Sequence, residues 1–253
     1  MKSTTRSTLR EHWITDGYIL VRNLLTRAEI GQLREICEDI LQQCYRAETP
    51  YPGDSDIVMR HLNRPAYHTR DRERLRVLLE TAADKRILKI AHDILGEEPE
   101  HRCFSLFMNP RERNEDGNWH RDSQFRENYD EDVEKDYILS TPHESGIQLQ
   151  IALVPSDDAE VVPGSHLRWD TDEEYAIRLK DNQSNNMPGA IRADLQPGDA
   201  VAFNAKGLHR GRYHSDKLRR TLMLTYVQSS RPMTPDMFNH QPWFLEPGYM
   251  DGI

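Results

Sequence analysis

Cysteine is scarce in this chain: of 253 residues only Cys37, Cys44 and Cys103 carry a thiol. They form neither a spaced framework nor a CxxC pair, so a disulfide scaffold is excluded and reduced thiols in a cytoplasmic protein are expected. Positive charge is also in deficit, with 33 Lys and Arg against 42 Asp and Glu, a net charge of -9. That balance argues against nucleic acid or an anionic membrane as a bulk partner, while leaving room for a small anionic ligand in a local basic pocket. No apolar run reaches membrane-spanning length. The polar start, Met1 to Arg6, leads into no apolar h-region, so no signal peptide is read. Internal repeats and domain linkers are lacking as well. What is present is a globular composition, 37% hydrophobic and 30% charged, long enough for one sizeable core. The expectation is a single domain over 1–253, with a helical flank over about 1–100, a core over about 101–230 and a tail over 231–253.

Along the flank, Leu9, Trp13 and Ile14 fit one face of a short helix ending near Asp16-Gly17, and Tyr18 to Val21 is a strand-like run. Thr26-Arg27-Ala28-Glu29 is a capping box. Behind it Ile30, Leu33, Ile36, Cys37, Ile40, Leu41 and Cys44 recur at helical spacing. The stretch from Glu48 to Arg70, with Arg60, His61, Asn63, Arg64, His68 and Arg70, reads as a loop, either solvated or facing substrate. Two further helices follow, the second bounded by Asp84 as N-cap and Gly96 as stop. After Glu100 the period changes to that of strands: Cys103 to Met108, Gly146 to Leu153, Ala190 to Asp194, Ala200 to Phe203 and Thr221 to Val227. Short strands joined by Pro/Gly turns, with helices gathered before them, predict a mainly β antiparallel barrel or jelly roll with flanking helices. Two inserts, Ser123 to Glu144 and Trp169 to Asn186, interrupt it. The first stands beside the metal stretch described next and is a candidate lid.

The sharpest stretch is Asn118-Trp119-His120-Arg121-Asp122. Read as an extended strand, it puts His120 and Asp122 on one face. His209, in a Gly-flanked turn after a strand, supplies a second imidazole. Three such ligands occupy one face of an octahedral metal and leave positions open, as in non-haem Fe(II) oxygenases, whereas zinc prefers a closed tetrahedron or one open position. The ligands alone do not choose between the two metals. An arginine makes that choice more tractable, because a dicarboxylate chelating iron at one end needs a fixed cation for the other, and a guanidinium offers two parallel hydrogen bonds. Strand parity puts Leu222, Leu224 and Tyr226 outward against helices, and Arg219, Thr221, Met223 and Thr225 inward. Arg219 is therefore the expected clamp and Arg220 its exposed neighbour. His166 is expected to be a structural turn residue, and His143, His214 and His240 ordinary polar histidines.

Four stretches together resemble the phytanoyl-CoA dioxygenase family of Fe(II)- and 2-oxoglutarate-dependent oxygenases. They are Asp16 to Leu25 before an amphipathic helix, His120-Arg121-Asp122, Val161-Val162-Pro163-Gly164-Ser165-His166, and His209 through Arg219. The resemblance implies a double-stranded β-helix (a cupin-like jelly roll) with Fe(II) held by His120, Asp122 and His209. It also implies 2-oxoglutarate held by Arg219 and contacted by Gln150. Dioxygen is then the oxidant, succinate and carbon dioxide are released, and a small-molecule substrate is hydroxylated. This chain departs from the family in carrying Arg210-Gly211-Arg212 where members often have Gly-Ser-Gly, which removes a hydroxyl from beside 2-oxoglutarate. Two other classes stay open: a cupin-like isomerase or hydrolase that does not use 2-oxoglutarate, and a metal-binding module without turnover. Phe104, Leu106, Phe107, Met108, Trp119, Phe125 and Trp169 are candidates for an apolar substrate pocket or for core. Arg60, Arg64, Arg70, Arg121 and Arg212 hint at a polar or anionic group on the substrate.

Overall fold

Thr26 opens the 20-residue helix α2 (Arg27–Arg46) through the predicted capping box. Its backbone N–H donates to Glu29 Oε2 at 2.6 Å, and the Glu29 N–H donates to Thr26 Oγ1 at 3.3 Å. Ile30, Leu33, Ile36, Cys37, Ile40 and Leu41 form its buried stripe, as the helical period requires. Each such side chain taken out of water contributes about 1.5–3 kcal/mol, so this face alone fixes where the helix lies. Ahead of it come α1 (Thr5–Asp16) and the strand β1 (Tyr18–Val21). Behind it lie β2 (Val58–Arg60), α3 (Arg72–Ala82) and α4 (Lys85–Leu95). The Asp84 carboxylate accepts from the Arg86 N–H at the start of α4. Gly96 ends the helix with φ 78°, a left-handed conformation that disfavours a β-carbon.

The remaining elements are β3 (Pro99–Met108), β4 (Asn114–Asp116), α5 (Glu131–Ser140), β5 (Gly146–Ala152) and β6 (Ala159–Val161). After them come α6 (Asp172–Tyr175), β7 (Ile191–Arg192), β8 (Ala200–Phe203), β9 (His209–His214) and β10 (Arg220–Gln228). This computed structural model describes residues 5–46, 51, 53–112, 114–125, 129–140, 146–180, 185–230 and 241–251. Among them, no helix is long and apolar enough to cross a membrane.

The strands form two antiparallel sheets, one of six strands in the order β1-β8-β5-β10-β3-β2 and one of four in the order β4-β9-β6-β7. The chain is thus mainly β with flanking helices, and two strands from the helical flank, β1 and β2, complete the larger sheet. Its outer face carries Phe104, Leu106, Leu149, Ile151, Ala202, Leu222 and Leu224, all packed in one core with the buried stripes of α2, α3 and α4. Its inner face follows from the register. Arg60 opposes Ser105, Ser105 opposes Met223, Met223 opposes Gln150 and Gln150 opposes Val201. Directly paired residues share a face, so this polar rung points toward the smaller sheet.

Two local expectations are corrected. The run from Glu48 to Arg70 is no solvated loop, since it contributes β2, and His61, Asn63 and His68 are buried. Part of the C-terminal tail covers it: the Tyr249 hydroxyl donates to the Asn63 carbonyl at 2.7 Å and accepts from Asn63 Nδ2 at 3.0 Å. The Asn118–Asp122 stretch is not a strand. His120 makes an isolated bridge to His209, and Asp122 begins a 3-10 turn, Asp122–Phe125.

Candidate metal and diacid site

The bridge between His120 and His209 is reciprocal, each backbone N–H donating to the other's carbonyl at 3.0 Å. The Asp122 N–H donates to the Ala205 carbonyl at 2.9 Å, which pins the next residues of the two segments as well. The side-chain donor atoms of His120, Asp122 and His209 thereby come within 4.8 Å of one another, and among the described residues they are the one such cluster of imidazoles and carboxylates. Asp122 Oδ1 lies 3.3 Å from His209 Nε2 and 3.7 Å from His120 Nε2.

Backbone carbonyls fix the imidazole tautomers. His120 Nδ1 meets the Asn118 carbonyl at 2.7 Å and His209 Nδ1 meets the Gly207 carbonyl at 2.9 Å. A carbonyl only accepts, so each Nδ1 carries the hydrogen and each Nε2 turns a lone pair toward Asp122. Burial, reinforced by the charge of His209, lowers the pKa of His120 and so favours the neutral form that a metal needs. Burial pushes the Asp122 carboxyl up, but the two imidazoles beside it and the Gln148 amide outweigh burial and hold it below its ordinary value. Two lone pairs and a carboxylate turned on one another repel unless a cation sits among them. The donor set therefore fits a divalent metal with open positions.

A cavity of about 360 Å³ opens on these three side chains. Arg219 stands in its wall, 2% exposed. Its guanidinium carbon lies 4.5 Å from the Tyr213 ring centroid and 5.2 Å from that of Phe107. Nη1 donates to the Arg212 carbonyl at 2.8 Å, while the buried Nε has no hydrogen-bond partner among the described residues. Thr221 Oγ1 and Gln150 Oε1 are buried and unpartnered in the same sense, and Gln150 lines the cavity. Donors and acceptors left open around one cavity wall suit a polar ligand. Gly211 keeps that wall thin, since a β-carbon there would lie 2.6 Å from the Tyr213 hydroxyl and 2.8 Å from Arg219 Nη1.

Arg220 turns away from the cavity as parity predicts, but it is 9% exposed rather than open. Its Nε donates to Glu38 of α2 at 2.8 Å and its Nη1 to Asn109 at 2.8 Å. His166 is a turn residue of Ser165–Leu167, bonded through Nε2 to the Ile14 carbonyl at 3.1 Å. His214 bonds Asp116 at 3.1 Å. His143 and His240 lie outside the described residues. Of the apolar candidates only Phe107 and Phe125 line the cavity, and Phe104, Leu106, Met108 and Trp119 are core. Arg60 also lines it, whereas Arg121 is buried in an ion pair and Arg212 pairs with Asp116. Sequence reasoning missed Gln148, whose amide donates to Asp122 Oδ2. Its position on the inward face of β5 was the available signal.

A family model described as phytanoyl-CoA dioxygenase (PhyH) matches residues 13–221. Among curated proteins, none matches the sequence. The fold is similar to that of EctD from S. alaskensis, solved with 2-oxoglutarate and 5-hydroxyectoine. Identity is 18% and the TM-score 0.66, over 98% of this chain and 86% of that one. It is also similar to AviO1 from Streptomyces viridochromogenes Tue57 (19%, TM-score 0.63, 93% of this chain and 100% of that one). A third is SnoN, a non-heme alpha ketoglutarate dependent epimerase from nogalamycin biosynthesis (17%, TM-score 0.63, 94% and 87%).

Proposed function

The chain belongs to the phytanoyl-CoA dioxygenase family, and from that premise we propose that it is a cytoplasmic Fe(II)- and 2-oxoglutarate-dependent oxygenase, a single domain that hydroxylates a small molecule. One observation carries this reading: the three converging donors and the Arg219 guanidinium wall the same cavity. His120, Asp122 and His209 hold the iron, Arg219 grips the far carboxylate of 2-oxoglutarate, and Gln150 contacts the same cosubstrate. Bound there, iron and 2-oxoglutarate supply the activation of dioxygen, with succinate and carbon dioxide as coproducts.

The chain's own residues set the conditions for that chemistry. Asp122, held ionised, offsets part of the metal's charge, and the carbonyls of Asn118 and Gly207 orient the two rings. Phe107 and Tyr213 flank the guanidinium and keep water from competing for it, which strengthens its grip on a carboxylate. The exposed ring of Phe125 lies 5.2 Å from that of His120 and gives the substrate an apolar surface beside the metal. Arg60, on the inward rung, gives it a cation, which supports a substrate carrying an anionic or strongly polar group. Asp122 also fills the position that halogenating relatives leave for halide, which supports hydroxylation.

The test is anaerobic addition of Fe(II) and 2-oxoglutarate, followed by oxygen. A visible charge-transfer absorption and then succinate are expected, with no succinate from Asp122→Ala. If Fe(II) binds and 2-oxoglutarate produces no colour, the cupin-like isomerase, hydrolase or binding-module readings replace this one.

A further inference from the structure

Between the two proposed ligands His120 and Asp122 stands a residue that faces away from the cavity. Arg121 is fully buried. Its Nε and Nη2 both donate to Asp170 Oδ1, at 3.0 and 2.7 Å. Its Nη1 donates to the Ser165 carbonyl at 2.9 Å and to the Lys206 carbonyl, three residues before His209. Asp170 passes the chain of contacts on through Oδ2, which accepts from Arg178 Nε at 2.7 Å. Arg178 Nη1 in turn donates to Glu134 at 3.0 Å and to Gln124 at 3.1 Å. The side chains of Arg121, Asp170 and Arg178 are 0% exposed and that of Glu134 is 1% exposed. The four charges balance.

We propose that Arg121 is a positioning residue for the metal triad, setting the separation between the 120–122 segment and the turn that presents His209. The proposal rests on the metal reading above. Two physical arguments carry it. A buried ion network is a poor source of net stability, because desolvation offsets most of its attraction, so its best-attested value is in fixing one arrangement of the chain. This network fixes the two segments whose spacing decides whether three donors meet. Second, only a planar guanidinium can serve one carboxylate and the three carbonyls of Ser165, Arg168 and Lys206 in fixed directions at once, whereas an ammonium on a flexible stem cannot. The backbone bridge at His120 and His209 sets the register, and Arg121 sets the angle of the wall behind it. Groups that orient metal ligands from behind typically cost 10–100-fold in metal affinity when altered.

Co(II) titration of the full chain, read by its visible ligand-field bands, tests the proposal, with urea unfolding and circular dichroism in parallel. Arg121→Lys and Asp170→Asn are expected to weaken Co(II) binding about 10–100-fold and to change the band pattern. Glu134→Gln leaves every Arg121 contact, and its amide oxygen can still accept from the Ser123 hydroxyl beside Asp122, so it is expected to stay within about threefold of the parent. Folded Arg121→Lys and Asp170→Asn proteins with parental affinity and spectrum would overturn the proposal. So would a Glu134→Gln loss as large as that of Asp170→Asn, which signals general loosening, or failure of both Arg121→Lys and Asp170→Asn to fold. If Arg121→Lys alone fails to fold, the Asp170→Asn and Glu134→Gln pair decides. A parent chain that binds no Co(II) refutes instead the metal reading.

Discussion

Replacing Arg219 by Lys separates the proposed clamp from a simple requirement for positive charge. The guanidinium has one nitrogen committed to the Arg212 carbonyl and a buried Nε with no partner among the described residues. A carboxylate meeting the Nε edge accepts two parallel hydrogen bonds, and an ammonium at the same place offers one direction at best. Losing one charge-assisted hydrogen bond costs about 1.5–3 kcal/mol, or roughly 10–150-fold in affinity. The assay is anaerobic titration of the Fe(II) protein with 2-oxoglutarate, read by charge-transfer absorption, on Arg219→Lys and Arg220→Lys side by side. Arg219→Lys should raise the dissociation constant by one to two orders of magnitude while Fe(II) affinity holds. Arg220→Lys breaks the fork onto Glu38 and Asn109, so it should lower the urea midpoint and leave the dissociation constant within about threefold. Parental 2-oxoglutarate affinity in Arg219→Lys, or a larger effect from Arg220→Lys, refutes the assignment of the clamp.

Gln148→Leu removes the amide that donates to Asp122. The Asp122 pKa should rise, so Co(II) affinity should fall about 10–100-fold and acid release of Co(II) should begin at a higher pH than in the parent. Unchanged affinity and an unchanged release pH rule out this support. His166 predicts an acid sensitivity in the metal-free protein. Burial, only partly offset by the Ile14 carbonyl, takes its pKa from 6.5 down to about 4. Between those values the unfolded chain binds a proton that the folded chain refuses, so stability is complete above 6.5 and lost as pH falls toward 4. The gap amounts to about 3 kcal/mol. Urea unfolding of His166→Gln, whose amide can still donate to Ile14, should be flatter over that window by this amount, and parallel curves would contradict it. Arg60→Gln should leave 2-oxoglutarate affinity intact while reducing succinate release stimulated by anionic small molecules about tenfold. Equal stimulation in both proteins counts against a cation facing the substrate.

The outer architecture was legible because apolar period and burial are the same fact seen twice. Tyr18–Val21 and Ala200–Phe203 are strands with the expected bounds, and the α2 stripe is buried as the helical spacing required. The meeting of His120, Asp122 and His209 was legible too, although for a partly wrong local reason. The two ends of His120-Arg121-Asp122 converge through a bridge and a 3-10 turn rather than along a strand. Parity also turned Arg220 away from the cavity. It could not reveal that Glu38 of a distant helix waits there, which is why the side chain is buried. Arg121 was misread for the same reason. A cation within the metal stretch hints at an anionic group on the substrate until Asp170, Ser165 and Lys206 are brought to it by the fold. The reach of Gln148 to Asp122 likewise depends on the distance between non-adjacent segments, which no local pattern encodes.

The strand β9 begins with His209 and carries Tyr213, against which Arg219 stacks, on the same face four positions later. A strand advances about 3.4 Å per residue and does not stretch, so His209 and the ring that backs Arg219 are held roughly 13–14 Å apart at the backbone. β9 thus works as a ruler. The proposed metal ligand and the ring that backs the proposed clamp share one strand, so any shift of β9 moves both together.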